Sequence, residues 1–272
     1  MEKSEVMTIN LESLFMPLAI ILSAVVVSTG MYFGLSNIGN NLKGGVTTGT
    51  TTTTGAVAAG AVTVTRDQIN ALYNNAEGIK FGDSSKAVTF AEFSDPSCPY
   101  CHIAGGKNPE LNISAGEQFT LVADGGTYVA PVTEFKRLVD EGKASYMWFY
   151  TNGHGNGEVA AKALYCANDV GQFWLAHEAF YSSVGYDVIN EEVKNDNGNI
   201  DKLLAIMPDS ADKSYIKSCI EQGKYDSVIA NDAAVGASLG VSGTPGFFVN
   251  EVNFAGAYSF TDMQATVDGF LQ

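Results

Sequence analysis

The stretch from Val88 to His102, V-T-F-A-E-F-S-D-P-S-C-P-Y-C-H, constrains the fold more than any other part of the chain. Val88 to Phe93 is an apolar, β-prone run, broken by Asp95, Pro96 and Ser97. Two cysteines follow, Cys98 and Cys101, separated by Pro99 and Tyr100. A strand that ends in a turn and delivers C-x-x-C to the start of a helix is the layout of a dithiol redox site. Pro99 suits the first turn of that helix. A helix N-terminus carries about half a positive charge, which stabilises a thiolate. The spacing therefore predicts Cys98 at the terminus, with its sulfur accessible, as the attacking thiol. Cys101, one turn in and more buried, is then the resolving thiol.

Two other readings compete for these residues. Cys98-Pro99-Tyr100-Cys101-His102 also matches the C-x-x-C-H pattern of c-type haem attachment. A haem carrier needs a second axial ligand and an apolar pocket, and has no use for a strand feeding the motif. A zinc half-site is disfavoured further. Zinc usually takes four ligands, often as two close pairs, and Cys166 and Cys219 are far apart with no near neighbour. No metal is expected, and no cofactor beyond a redox-active Cys98–Cys101 disulfide.

Between Glu12 and Lys43 there is no charged residue, and 14–35 is almost wholly apolar up to Phe33. Twenty residues at about 1.5 Å each match the hydrocarbon thickness of a bilayer. A cleaved signal peptide is the alternative. Its basic leader is poor here, with Lys3 against Glu2, Glu5 and Glu12, and no clear A-x-A site follows. An uncleaved single-pass anchor after a short segment, 1–13, is favoured. One lysine on each flank leaves orientation undecided by charge; the dithiol chemistry places the C-terminal part outside the cytoplasm. Residues 36–65, rich in Thr, Gly and Ala, lack periodicity and read as a flexible linker. Nearly all of the net charge of −15 then falls in 66–272, which argues against nucleic-acid binding.

The folded domain is expected over 66–272, opening with a helix at Arg66–Ala76 capped by Thr65. Ile79–Gly82 and Val88–Phe93 read as strands. Phe119–Ala123 and Thr127–Val129, about the D-G-G at 124–126, predict a β-hairpin, and Asn112-Ile113-Ser114 is a formal glycosylation sequon. Val132–Glu141 reads as a helix and Ala144–Thr151 as a buried strand, which with 88–93 makes a right-handed parallel βαβ unit. His154, in the Gly-rich loop 152–157, reads as a surface residue. About 157–240 is helical, with Gly171 as a break and His177 as a packed helix residue. Phe247–Asn250 and Asn253–Gly256 form a closing hairpin, and Thr261–Phe270 a last helix.

Three features together resemble the DsbA-like thiol:disulfide oxidoreductases on a thioredoxin fold, especially the membrane-anchored BdbD-type branch. They are I-K-F-G-D-S-S-K-A-V-T-F-A-E-F-S-D-P-S-C-P-Y-C at 79–101, the inserted helical block, and G-V-S-G-T-P-G-F-F-V-N at 240–250. The resemblance implies an α/β thioredoxin fold with an inserted helical lobe, and it assigns roles by position. Cys98 matches the nucleophile and Cys101 the resolving thiol, with Pro99 and Tyr100 as the dipeptide that tunes thiolate stability. Pro245 matches the cis-proline and Thr244 the residue before it, whose backbone pairs with an extended substrate. Glu92 matches the buried acid that relays a proton to Cys101. Relatives often have cysteines at the places of Cys166 and Cys219, so the resemblance implies a structural disulfide between them, with two unpaired buried thiols as the alternative. The chain departs from the family's pattern at 105–131, where glycines and the expected hairpin interrupt the usual helical continuation.

The activity so implied is exchange through a Cys98 mixed disulfide, introducing disulfides into secreted proteins as they fold. A membrane quinone reductase of the DsbB or VKOR type would reoxidise the site. A monomer is expected. The sequence leaves three alternatives open: a reductase or isomerase on the same fold, the c-type electron carrier, and a tethered chaperone or binding module without turnover.

Overall fold

The computed structural model of the protein describes residues 62–272. The segments read above as a short N-terminal segment, an anchor and most of the linker, 1–61, lie outside the described residues. Among the described residues no helix is long and apolar enough to cross a membrane.

Helix α1 (Arg66–Asn75) opens with a reciprocal capping box between Thr65 and Gln68, which satisfies donors left open by the first turn. Five strands follow the hydrophobic runs: β1 (Ile79–Phe81), β2 (Val88–Ser94), β3 (Ala144–Tyr150), β4 (Gly246–Val249) and β5 (Val252–Ala255). They form one sheet in the order β1-β3-β2-β4-β5. Only β2 and β3 run parallel, from Val88 opposite Ala144 to Ser94 opposite Tyr150. That pairing needs a crossover, supplied in part by helix α4 (Pro131–Asp140). Every residue of β2 and β3 is buried, because both faces of the sheet are covered. Phe90 and Tyr146 face the main core, where Phe90 stacks on Phe135. Ala91, Phe93, Met147 and Phe149 face a smaller cluster with Ile69 and Tyr73 of α1.

The block between β3 and β4 is a helical lobe on the same core. It comprises α5 (Glu158–Asp169), α6 (Phe173–Phe180), α7 (Ser183–Asp187), a π-helical turn at Val188–Val193, α8 (Ile200–Ala205), α9 (Lys213–Glu221) and α10 (Asp226–Ser238). Gly171, with φ of +69°, breaks α5 from α6 as its backbone freedom allows. Cys166 of α5 and Cys219 of α9 are joined by a disulfide, with Cα atoms 5.9 Å apart. Buried Asp232 of α10 ties the lobe to the sheet: its Oδ2 accepts the Tyr150 backbone N–H at 3.0 Å and the Tyr165 hydroxyl. Helix α11 (Phe260–Leu271) closes the chain, capped by Ser259 and Asp262.

The hairpin expected at 119–129 does not form. Helix α2 (Pro99–Gly105) ends on left-handed Gly106, and a short helix, α3 (Pro109–Ser114), follows. Single 3-10 turns then occupy Glu117–Phe119 and Val122–Asp124. Leu121 O accepts from both Asp124 and Gly126, closing the D-G-G turn on itself. The apolar residues Phe119, Leu121 and Tyr128 pack on Ile103 rather than across a ladder. An isolated two-stranded ribbon has little stability, whereas this packing buries the same side chains. The Asn112 amide is buried and donates to Ile103 O and Phe119 O, so the formal sequon is not open to a glycan in the folded chain.

Candidate active site

The turn Asp95-Pro96-Ser97 carries the chain from β2 to Cys98, the N-cap of α2, with Pro99 at its first position. Both thiols of the dithiol are free. The expected accessible sulfur at Cys98 is not observed: Cys98 is only 5% exposed and Cys101 fully buried. The reason is a cover from a distant part of the chain. Thr244 precedes the cis peptide bond to Pro245, and its carbonyl lies 3.4 Å from Cys98 Sγ, which donates to it when protonated. Tyr100, 49% exposed, sets its ring edge-to-face with Phe119.

The two sulfurs differ in surroundings more than in exposure. A hydrogen bond from the Cys101 thiol, aided by the Thr244 side chain and then by the backbone N–H groups of Cys101 and Tyr100, draws Cys98 down to about 6 against its own burial. Burial pushes Cys101 well above its ordinary value, and the neighbouring Cys98 pushes it further. At neutral pH Cys98 is therefore mostly thiolate and Cys101 thiol, the asymmetry that exchange through a mixed disulfide requires.

Glu92 lies on β2 opposite Trp148 on one side and Phe247 on the other. It is fully buried, and burial raises its carboxyl to about 7 although the Tyr146 hydroxyl donates to Oε2 at 2.6 Å. A carboxyl poised near 7 is suited to general acid–base work.

Sequence reasoning took Asp95 only as a strand breaker. Its buried carboxylate is the clamp of the site. Oδ1 accepts the Ser97 N–H and hydroxyl at 2.8 and 2.7 Å. Oδ2 accepts the backbone N–H groups of Gly153 and His154, each at 2.8 Å. The side chain of His154 is exposed; its backbone, not its ring, serves the site. Two glycines make this approach possible. A Cβ on Gly157 would sit 1.9 Å from Asp95 Oδ1, and one on Gly153 would sit 1.7 Å from Thr244 Oγ1. No sequence signal short of the fold ties loop 152–157 to both walls of the dithiol.

His102, the axial ligand of the haem reading, is fully buried, with Nε2 2.8 Å from Pro96 O and Nδ1 3.1 Å from Tyr181 O. Neither nitrogen faces a space a haem could enter. Among the described residues no group of three or more His, Cys, Asp or Glu is placed to hold a metal ion.

A dithiol at a strand-to-helix turn, faced by a cis-proline on a mixed five-stranded sheet, defines a thioredoxin-type redox fold. A family model described as thioredoxin matches residues 132–269, half of the chain, beginning after the dithiol. The chain belongs to the thioredoxin family. Its fold is that of the DsbA-like members. Wolbachia pipientis alpha-DsbA1 superposes with a TM-score of 0.56 at 18% identity, covering 75% of this chain and 96% of that one. The thiol-disulfide exchange protein alpha-DsbA2 of the same organism gives 0.51 at 17% identity, covering 75% and 94%. A curated relative, Na(+)/H(+) antiporter NhaA 1 of Salinispora arenicola, is 26% identical over 193 residues, 68% of this chain. The chain spans about a quarter of that protein's length, 24%.

Proposed function

We propose that the protein is a membrane-anchored, extracytoplasmic thiol:disulfide oxidoreductase that donates its Cys98–Cys101 disulfide to cysteines of secreted proteins as they fold. A substrate thiolate attacks Cys98 Sγ, the Cys98–Cys101 bond breaks, and Cys101 takes up a proton. A second substrate thiolate then attacks the substrate sulfur of the mixed disulfide, and Cys98 leaves as thiolate. Thr244, in front of Pro245, offers its backbone to the substrate strand. A quinone-linked membrane reductase of the DsbB or VKOR type reoxidises the dithiol, and no bound cofactor takes part. The observation that carries this reading is the lowered thiol of Cys98, down to about 6, beside the raised thiol of Cys101. A stable Cys98 thiolate is a good leaving group and favours the reduced enzyme, hence donation of the disulfide.

The test is the redox equilibrium of the full chain against glutathione buffers, with Cys98 followed by alkylation. A midpoint near about −120 mV supports the oxidase direction, and one near about −270 mV reverses the electron flow. A Cys98→Ala chain that keeps its activity would sink the exchange reading and leave a tethered binding module.

A further inference from the structure

Exchange at this site moves a proton on and off Cys101, whose sulfur has no exposure to solvent. Cys101 must lose its proton to attack a mixed disulfide on Cys98, and must regain one when it leaves. It is fully buried, and Glu92 is the buried carboxyl on the neighbouring strand. Ser94 follows Glu92 by two residues on β2 and so projects from the same face. Its hydroxyl faces both the Glu92 carboxyl and the Cys101 sulfur. Neither contact is closed to hydrogen-bond distance in the resting dithiol, as is common before a catalytic bond tightens. Glu92 Oε1 is buried with no hydrogen-bond partner among the described residues, while Oε2 is taken by Tyr146. The Ser94 oxygen is itself fixed, 2.9 Å from the Tyr181 hydroxyl. Tyr181, just past α6, is stacked between two imidazoles, His177 at 4.0 Å and His102 at 5.0 Å between ring centroids.

We propose that the Ser94 hydroxyl conducts the proton between Cys101 and Glu92, with Tyr181 as the positioning residue that fixes it. The proposal rests on the exchange reading above. In resolution the Cys101 S–H proton passes to Ser94 Oγ as the Ser94 O–H proton passes to Glu92 Oε1. Cys101 Sγ forms its bond to Cys98 Sγ, and the bond from Cys98 to the outgoing sulfur breaks, its electron pair leaving as a thiolate. In the other direction, attack on Cys98 releases Cys101 as thiolate, and Glu92 returns the proton through the same hydroxyl. Ser94 ends each passage with one proton.

The groups around this path come from every side. Tyr146 faces Glu92 from β3, Tyr181 and His177 come from the lobe, and Cys98, Cys101 and His102 from α2 and its cap. Asp95 faces Tyr181, and β4 sets Phe247 opposite Glu92. Burial pushes His102 down to about 4 and His177 down to about 3, so both stay neutral near pH 7. Burial sets the Glu92 carboxyl to change charge at about 7.

The test uses the full reduced chain mixed rapidly with oxidised glutathione. Formation of the Cys98–glutathione disulfide and its resolution by Cys101 are followed separately by acid quench and mass spectrometry, as a function of pH. In the wild type the resolution rate should show an inflection near pH 7. Ser94→Ala should still form the mixed disulfide and keep the Cys98 alkylation profile, but resolve it about 100-fold more slowly and without the inflection. Tyr181→Phe keeps the stacked ring, loses one hydrogen bond, and should slow resolution by up to about tenfold. The double variant Ser94→Ala/Glu92→Gln should be no slower than the slower single variant. A Ser94→Ala chain with the wild-type rate and inflection overturns the proposal, as does a double variant slowed by the product of the two single effects. Failure of the exchange reading looks different: the wild type then forms no mixed disulfide at all, and the relay falls with it.

Discussion

Replacing Glu92 by Gln should make the protein more stable, and the gain should grow with pH. The folded carboxyl is raised by burial from its ordinary value of 4.5 to about 7, a rise equivalent to about 3 kcal/mol. The sign follows from proton binding. An unfolded chain releases this proton near 4.5, whereas the folded chain holds it until about 7. The folded state thus binds more protons across that window. The stability from this group is fully present below 4.5 and is lost as pH rises through about 7. Gln has nothing to ionise, and its side-chain oxygen can still accept from Tyr146. Urea unfolding of the reduced wild type and Glu92→Gln, side by side, should therefore differ by under about 1 kcal/mol at pH 5 and by about 3 kcal/mol at pH 8.5, in favour of the variant. Asp232 is also pushed up to about 7 by burial, but it is present in both proteins and cancels. The same gap at both pH values, or a variant less stable at pH 8.5, would refute the account of Glu92 as an ionisable group held in a desolvated site. A functional group that destabilises its own fold is a common signature of active sites.

Two further perturbations test the frame around the site. Cys166→Ser/Cys219→Ser opens a loop of 53 residues and should lower unfolding free energy by about 4 kcal/mol, measured in urea, with Cys98 still forming mixed disulfides in the folded fraction. Unchanged stability would mean the lobe holds its shape without the bond. Gly157→Ala drives a methyl group to 1.9 Å from Asp95 Oδ1 and 3.0 Å from Ser97 N. It should lower stability by about 1–3 kcal/mol and slow glutathione exchange at Cys98, and a variant with the wild-type melting temperature and rate would show that the clamp yields freely.

The parts of the fold legible in the sequence are those written in local pattern. The continuous apolar runs of β2 and β3 announce strands buried on both faces, and the helical pattern between them announces a parallel crossover. Residues 105–131 were opaque because Phe119, Leu121 and Tyr128 are spaced like strand residues yet serve a small cluster on Ile103. At the site, C-x-x-C marks its own chemistry, but the shielding of Cys98 does not show. It comes from a carbonyl 146 residues further along the chain. Asp95, Ser94 and Tyr181 were missed for the same reason. Each is an unremarkable residue in its own neighbourhood, and acquires its part only when the lobe and loop 152–157 fold against the turn before Cys98.

The contact between Cys98 and Thr244 also sets an order in time. During synthesis the dithiol leaves the ribosome long before the residue that shields it. Until β4 arrives, β2 has one neighbour fewer and presents an open edge. Cys166 and Cys219 emerge in that interval, while the same chain already carries a dithiol without its lid. Of the three full pairings that four cysteines allow, the structure is compatible with one: Cys166 is bonded to Cys219, which leaves Cys98 and Cys101 only each other. A chain arrested before residue 244 therefore has both sulfurs of the dithiol and both cysteines of the lobe, but not the residue that shelters the outer thiol.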